Sequence, residues 1–107
     1  MSSPRCIYVD VDDTLVRTVG STRIPIPSVI RHVGELHREG AILYCWSAGG
    51  ADYAKTTAEE FGIARFFTAF IPKPNVIIDD QEVIAWPQFL HVHPASISSL
   101  SEYRAGA

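Results

Sequence analysis

Cysteine is scarce in this chain, a basic cluster is missing, and no apolar run is long. The two cysteines, Cys6 and Cys45, stand inside apolar runs, without the spacing of a metal site or a disulfide framework. They read as buried free thiols in a reducing cytosol. Nine Lys and Arg against twelve Asp and Glu leave a net charge of −3, and the basic residues are dispersed along the sequence. Electrostatic binding to nucleic acid or to an anionic membrane is not suggested. The longest apolar runs, such as Ala41 to Trp46, fall far short of the roughly 20 residues that a membrane span needs. Met1-Ser2-Ser3-Pro4-Arg5 leads straight into a strand-like run, so no secretory signal is visible and a cytoplasmic location is expected. Repeats and low-complexity tracts are missing as well.

What is present fits one domain. The 107 residues, 47% of them hydrophobic and 20% charged, are enough for a single core over residues 1–107 and leave no room for a separate lid domain. Short apolar runs alternate with helical patterns. Cys6-Ile7-Tyr8-Val9 and Ala41-Ile42-Leu43-Tyr44-Cys45-Trp46 are the first two runs, and Phe66-Phe67-Thr68-Ala69-Phe70 is a weaker third. Val76-Ile77-Ile78 is the fourth, and Phe89-Leu90-His91-Val92 a candidate fifth. Wholly apolar runs are those of strands buried on both faces.

Two helices are well marked between the runs. One follows Pro27, with Ser28 as candidate N-cap; Val29, Ile30, Val33 and Leu36 hold helical spacing, and Gly40 closes it. The other begins near Ala51 or Asp52, with Asp52 as candidate cap, and presents Ala54, Ala58 and Phe61 before stopping at Gly62. A third, short helix is expected from about Ala95 to Tyr103. This alternation predicts a doubly wound, three-layer α/β/α Rossmann-like parallel sheet of about five strands. Ligands of such sheets bind beyond the carboxyl ends of the strands.

Those ends are where polar groups gather. The first run is followed by Asp10-Val11-Asp12-Asp13-Thr14-Leu15, the second by Ser47-Ala48-Gly49-Gly50 and the fourth by Asp79-Asp80. Lys73 stands between Pro72 and Pro74, whose rings stiffen the loop. Acids directly after a buried strand are costly unless metal, donors or water compensate them. Two neighbouring carboxylates repel, so one can hold a proton as an acid while the other stays ionised. A hydroxyl beside small residues at a helix N-terminus suits a phosphate. Read alone, the spaced acids are a solvated turn and the lysine a solvated loop residue, and the Ser-Gly-Gly turn is equally a plain connector. Together they form an oxygen-rich group without His or Cys, which suits a hard cation, Mg²⁺ above all.

In this order the residues resemble the haloacid dehalogenase superfamily of phosphohydrolases, over about residues 6 to 93. Asp10-Val11-Asp12-Asp13-Thr14-Leu15 matches its first motif closely, Ser47 its second, Lys73 its third and Asp79-Asp80 its fourth. The resemblance implies that Asp10 attacks phosphorus and forms an aspartyl-phosphate. Asp12 would protonate the leaving oxygen and then activate the hydrolytic water. Ser47, with Ala48 beside it, and Lys73 would hold the phosphoryl group. Mg²⁺ would lie among Asp10, the backbone carbonyl of Asp12 and an acid of the Asp79-Asp80 pair, with either member open as the direct ligand. Asp12 favours phosphoryl transfer over halide displacement, because the dehalogenase branch needs no general acid there.

No cap can be placed. Val16 to Ile26 suffices for a small flap or hairpin, and between Phe70 and Val76 there is essentially nothing. An open crevice implies a bulky phosphorylated substrate, a neighbouring subunit of a homo-oligomer over the site, or low turnover. The main expectation is a Mg²⁺-dependent phosphatase. The alternative is a regulatory or interaction module that binds Mg²⁺ without useful turnover. A response-regulator receiver is rejected, because the third run ends at Phe70-Ile71-Pro72 without an acid. His91 and His93 read as surface or core residues, Trp46 and Trp86 as packing residues, and His32 and His37 as exposed helix positions.

Overall fold

A computed structural model describes residues 4–99 of the chain. Strand β1 (Cys6–Asp10) leads into a hairpin, β2 (Val16–Val19) and β3 (Thr22–Pro25), and then helix α1 (Pro27–Arg38). Strand β4 (Ile42–Ser47), helix α2 (Ala51–Glu60) and strand β5 (Ala69–Pro72) follow. Beyond β5 the described chain has only short 3₁₀ turns, Val83–Ala85 and Pro94–Ser99.

The sheet is parallel, in the order β1-β4-β5, with Val9 beside Cys45, Asp10 beside Trp46 and Ser47 beside Pro72. Parallel neighbours need a crossover, and crossovers are right-handed. Because this sheet grows in one direction only, both crossover helices fall on the same face. Val9, Leu43 and Cys45 on that face pack with Val29, Val33 and Leu36 of α1 and with Ala54 and Ala58 of α2. Val11, Leu15 and Val16 close the core near the carboxyl end of β1.

The opposite face has a different character. Tyr8, Tyr44 and Trp46 form an aromatic stripe with ring centroids 5.1 and 4.8 Å apart. Tyr8 is 47% exposed, and none of the three belongs to the buried core.

The expected doubly wound sheet of about five strands is therefore not formed. A doubly wound sheet reverses its direction of growth and carries helices on both faces, whereas this one has three parallel strands and a separate two-stranded antiparallel hairpin. The fourth expected strand, Val76-Ile77-Ile78, joins no sheet, and Ile78 is 97% exposed. Three apolar residues between Pro74 and two acids offer too few ladder bonds and too little area to offset their ordering. The fifth, Phe89-Leu90-His91-Val92, follows Gln88 at φ +61°, which turns the chain out of strand geometry just before it. The expected third helix is a 3₁₀ segment as far as Ser99; its remainder lies outside the described residues.

Smaller expectations are corrected too. The N-cap of α1 is Ile26 rather than Ser28, and Pro27 occupies the first helical position, where its missing N–H costs nothing. The N-cap of α2 is Gly50 at φ +104°, with Asp52 inside the first turn. Cys6 is exposed, not buried. His32 is half-buried, whereas His37 is exposed as expected, its ring beside Phe66 at 5.2 Å. Of the two forms that residues 16–26 could take, the hairpin is seen, as β2–β3.

A core confined to one face predicts unequal costs. Leu43→Ala should lower unfolding stability by about 2–5 kcal/mol in urea titration, and Tyr8→Ala by clearly less. Equal losses would contradict the one-sided core.

Candidate functional site

The carboxyl ends of the three parallel strands supply the site. Asp10 is the last residue of β1, Ser47 the last of β4, and Lys73 directly follows β5. The Lys73 N–H donates to the Ser47 carbonyl at 2.9 Å, which extends the β4–β5 ladder one residue past the strand. From there the Lys73 side chain crosses the end of β4, and its Nζ stands 3.3 Å from Asp10 Oδ1. The other carboxylate oxygen, Oδ2, faces the Thr14 hydroxyl at 3.5 Å. Lys73 and Asp10 are 40% and 30% exposed, so their ion pair adds at most about 1 kcal/mol to stability. Its consequence is positional: a cation is held beside one carboxylate oxygen while the other is only loosely engaged.

The chain turns sharply after Asp10. Asp13 lies at φ +59°, its N–H donates to the Val16 carbonyl at 2.7 Å, and Val11 accepts from the N–H groups of Thr14 and Leu15. Asp12 is exposed on this turn, and its Oδ1 accepts a 2.7 Å hydrogen bond from the Tyr53 hydroxyl of α2. Tyr53 Oη in turn accepts from Arg23 Nη2 at 3.1 Å. Arg23, on β3, also donates to Thr57 Oγ1 at 2.9 Å and Glu60 Oε1 at 2.6 Å, and its guanidinium lies 5.3 Å from the Tyr53 ring centre. The Tyr53 hydroxyl titrates above its ordinary value. Its bond to Asp12 is the largest cause, followed by burial and the Asp12 charge, with Arg23 opposing.

Ser47 is buried, and its Oγ accepts the Gly49 N–H at 2.9 Å, while its carbonyl accepts the Gly50 N–H. Two donors at the start of α2 thus close the turn on Ser47 itself, and Ala48 is exposed between them. Glycine is needed here. A Cβ at position 49 would stand 3.0 Å from Tyr53 Cδ2 and 3.3 Å from Ser47 Oγ, and Gly50 has a positive φ. Below the site, burial pushes the Cys45 thiol up to about 12, with the Asp10 charge adding to it.

Asp10, Asp12, Ser47 and Lys73 are thus gathered at one edge of the sheet. Asp79 and Asp80 are not delivered there by a fourth strand. Both are exposed, and Asp79 Oδ1 accepts the Gln81 N–H at 2.9 Å in a local turn. Among the described residues no three His, Cys, Asp or Glu side chains form a cation-holding group. The Asp10 carboxylate and the Asp12 backbone carbonyl are oxygen donors of the kind Mg²⁺ takes, with water and substrate phosphate oxygens completing its shell. Thr14, Tyr53 and Arg23 were not singled out from the sequence. Thr14 stood within the acidic motif, and Tyr53 falls in the first turn of the helix that follows Ser47. Nothing local marks Arg23, whose partners lie more than 29 positions away. An open groove lined by Arg31, Arg38, Arg65 and Phe66 shares no residue with this site.

Fold and site define a small parallel sheet with a carboxylate–lysine–hydroxyl group at its carboxyl edge. The chain belongs to the family described as Protein of unknown function (DUF705), which matches residues 1–81. It is also 24% identical over 78 residues to a protein of Autographa californica nuclear polyhedrosis virus, described as "Uncharacterized 38.0 kDa protein in P143-LEF5 intergenic region". The match covers 73% of this chain and 24% of the viral protein, so the chain spans about a quarter of that relative's length. No solved structure matches the chain. These findings overturn the resemblance to the haloacid dehalogenase superfamily: the family matched is a different one, and neither description names a hydrolase. Four short motifs in the right order were too little sequence to define a family.

The two cysteines should react differently. Cys6 is exposed, whereas Cys45 stays a buried, protonated thiol at neutral pH. A thiol reagent at pH 7.5 should label one cysteine per folded chain and two after denaturation. The raised Cys45 value also means that protonation stabilises the fold fully below about pH 9, and that this contribution fades as pH rises toward about 12. Rapid labelling of both thiols in the folded chain would contradict the burial of Cys45.

Proposed function

We propose that this chain is a Mg²⁺-dependent phosphohydrolase that acts through an aspartyl-phosphate on Asp10. The observation that carries the reading is the 3.3 Å approach of Lys73 Nζ to Asp10 Oδ1, with Asp12 two residues on and Ser47 at the adjoining strand end. A partly exposed carboxylate with a cation on one oxygen and only a long contact to the Thr14 hydroxyl on the other is suited to nucleophilic attack on phosphorus.

In the first step an oxygen of Asp10 bonds to phosphorus as the ester oxygen leaves. Asp12, in its acid form, gives that oxygen a proton. In the second step water bonds to phosphorus as the Asp10 oxygen departs, and the Asp12 carboxylate accepts the water's proton. Lys73 offsets charge on Asp10 and on the transferring group, and Ser47 with Ala48 would hold a phosphoryl oxygen. Bound Mg²⁺ would be held by the Asp10 carboxylate and the backbone carbonyl of Asp12 and would supply further charge neutralisation. Asp79 and Asp80 have no assigned part in these steps.

Asp12 and Lys73 are exposed, so the crevice admits a phosphate group carried on a bulky molecule. No helix of the described residues is long and apolar enough to cross a membrane. We place the protein in the cytoplasm, a compartment in which an exposed thiol such as Cys6 stays reduced.

The wild-type chain should hydrolyse para-nitrophenyl phosphate with Mg²⁺ and lose that activity to a chelator. Asp10→Asn should abolish turnover. Lys73→Ala should lower kcat/KM at least about 100-fold while its stability falls by no more than about 1 kcal/mol. Full turnover by Asp10→Asn would refute the assignment. Stabilisation by Mg²⁺ without turnover on phosphate esters would instead identify a binding module.

A further inference from the structure

We propose that Tyr53, anchored by Arg23, is a positioning residue that fixes which oxygen of Asp12 exchanges the catalytic proton. The inference rests on the phosphohydrolase reading and deepens it. Asp12 is exposed on a turn, and an unrestrained surface carboxylate rotates freely between its rotamers. The Tyr53 hydroxyl spends its one hydrogen on Asp12 Oδ1, at 2.7 Å, the usual length of a well-formed O–H···O bond. Oδ1 is thereby occupied, and Oδ2 is left to carry the proton to the leaving oxygen and to take one from water.

The direction of the Tyr53 bond is set by its other neighbour. Arg23 can only donate, so its contact to Tyr53 Oη at 3.1 Å uses a lone pair and turns the phenolic hydrogen toward Asp12. Arg23 is itself fixed by Thr57 and Glu60 and by stacking over Tyr53 and Phe61. Gly49 completes the seat, since a methyl group there would press on the Tyr53 ring. One arginine on the β2–β3 hairpin thus ties that hairpin to α2 and, through Tyr53, to the acid–base residue.

This role has a signature that mere support of the fold lacks. Proton donation by Asp12 matters most when the leaving oxygen is strongly basic. Tyr53→Phe keeps the ring, its packing and its stacking with Arg23, and removes only the hydroxyl. The experiment measures kcat and KM of wild type, Tyr53→Phe and Arg23→Lys on an alkyl phosphate and on para-nitrophenyl phosphate, with thermal melts of each protein. Tyr53→Phe should lower kcat on the alkyl ester about 10- to 100-fold, and less than about threefold on the aryl ester, with KM unchanged. Arg23→Lys should show the same selective loss in weaker form, because lysine cannot hold Tyr53, Thr57 and Glu60 together. Equal losses on both esters, or none, in a hydrolytic wild type would overturn the inference and leave the phosphohydrolase reading standing. A wild type that hydrolyses neither ester would overturn both.

Discussion

Parallel register is the constraint on which the chemistry of this molecule depends. With Asp10 beside Trp46 and Ser47 beside Pro72, the carboxyl ends of β1, β4 and β5 lie along one edge. A side chain leaving β5 there can reach β1 across the end of β4. A slip of one residue in either pairing would turn every side chain of the shifted strand to the other face. Burial specifies the register: Val9, Leu43 and Cys45 face the helices, and exposing them would cost far more than the Lys73–Asp10 ion pair contributes. The apolar core therefore sets the register, and the register brings lysine and carboxylate together.

The same economy of parts shapes the rest of the site. Two carboxylates two residues apart repel, and each is given its own partner: Lys73 for Asp10, and Tyr53 for Asp12. The partners differ in kind. An ammonium supplies charge wherever charge develops nearby, whereas a phenol supplies direction. This division matches the two tasks proposed for the acids, one as nucleophile and one as proton carrier. The β2–β3 hairpin takes part through Arg23, which buttresses α2.

Much of this was legible in the sequence, and the limits have physical causes. Cys6–Val9 and Ala41–Trp46 read correctly as strands because β-rich apolar runs of that length can form a full ladder. Gly40 and Gly62 marked helix ends correctly because both adopt positive φ. Asp10, Asp12, Ser47 and Lys73 could be found because each stands at, or within two residues of, the carboxyl end of a strand. The run Val76–Ile78 misled because an apolar run signals a strand only if a neighbour is available to pair with it. The Tyr8, Tyr44 and Trp46 stripe misled in the same way: hydrophobicity on both faces was read as burial on both, while one face of this sheet is half open. Arg23 and Tyr53 were missed because their link is tertiary, spanning hairpin, helix and turn.

The central claim, that Asp10 becomes covalently phosphorylated, has a direct chemical test. The chain is incubated with an aryl phosphate and Mg²⁺, treated with borohydride during turnover, and digested for peptide mass spectrometry. An aspartyl-phosphate is reduced to the corresponding alcohol, whereas a free carboxylate is not. The account predicts reduction at residue 10 alone, dependent on substrate. Steady hydrolysis with an unmodified Asp10, or reduction at another acid, would contradict it.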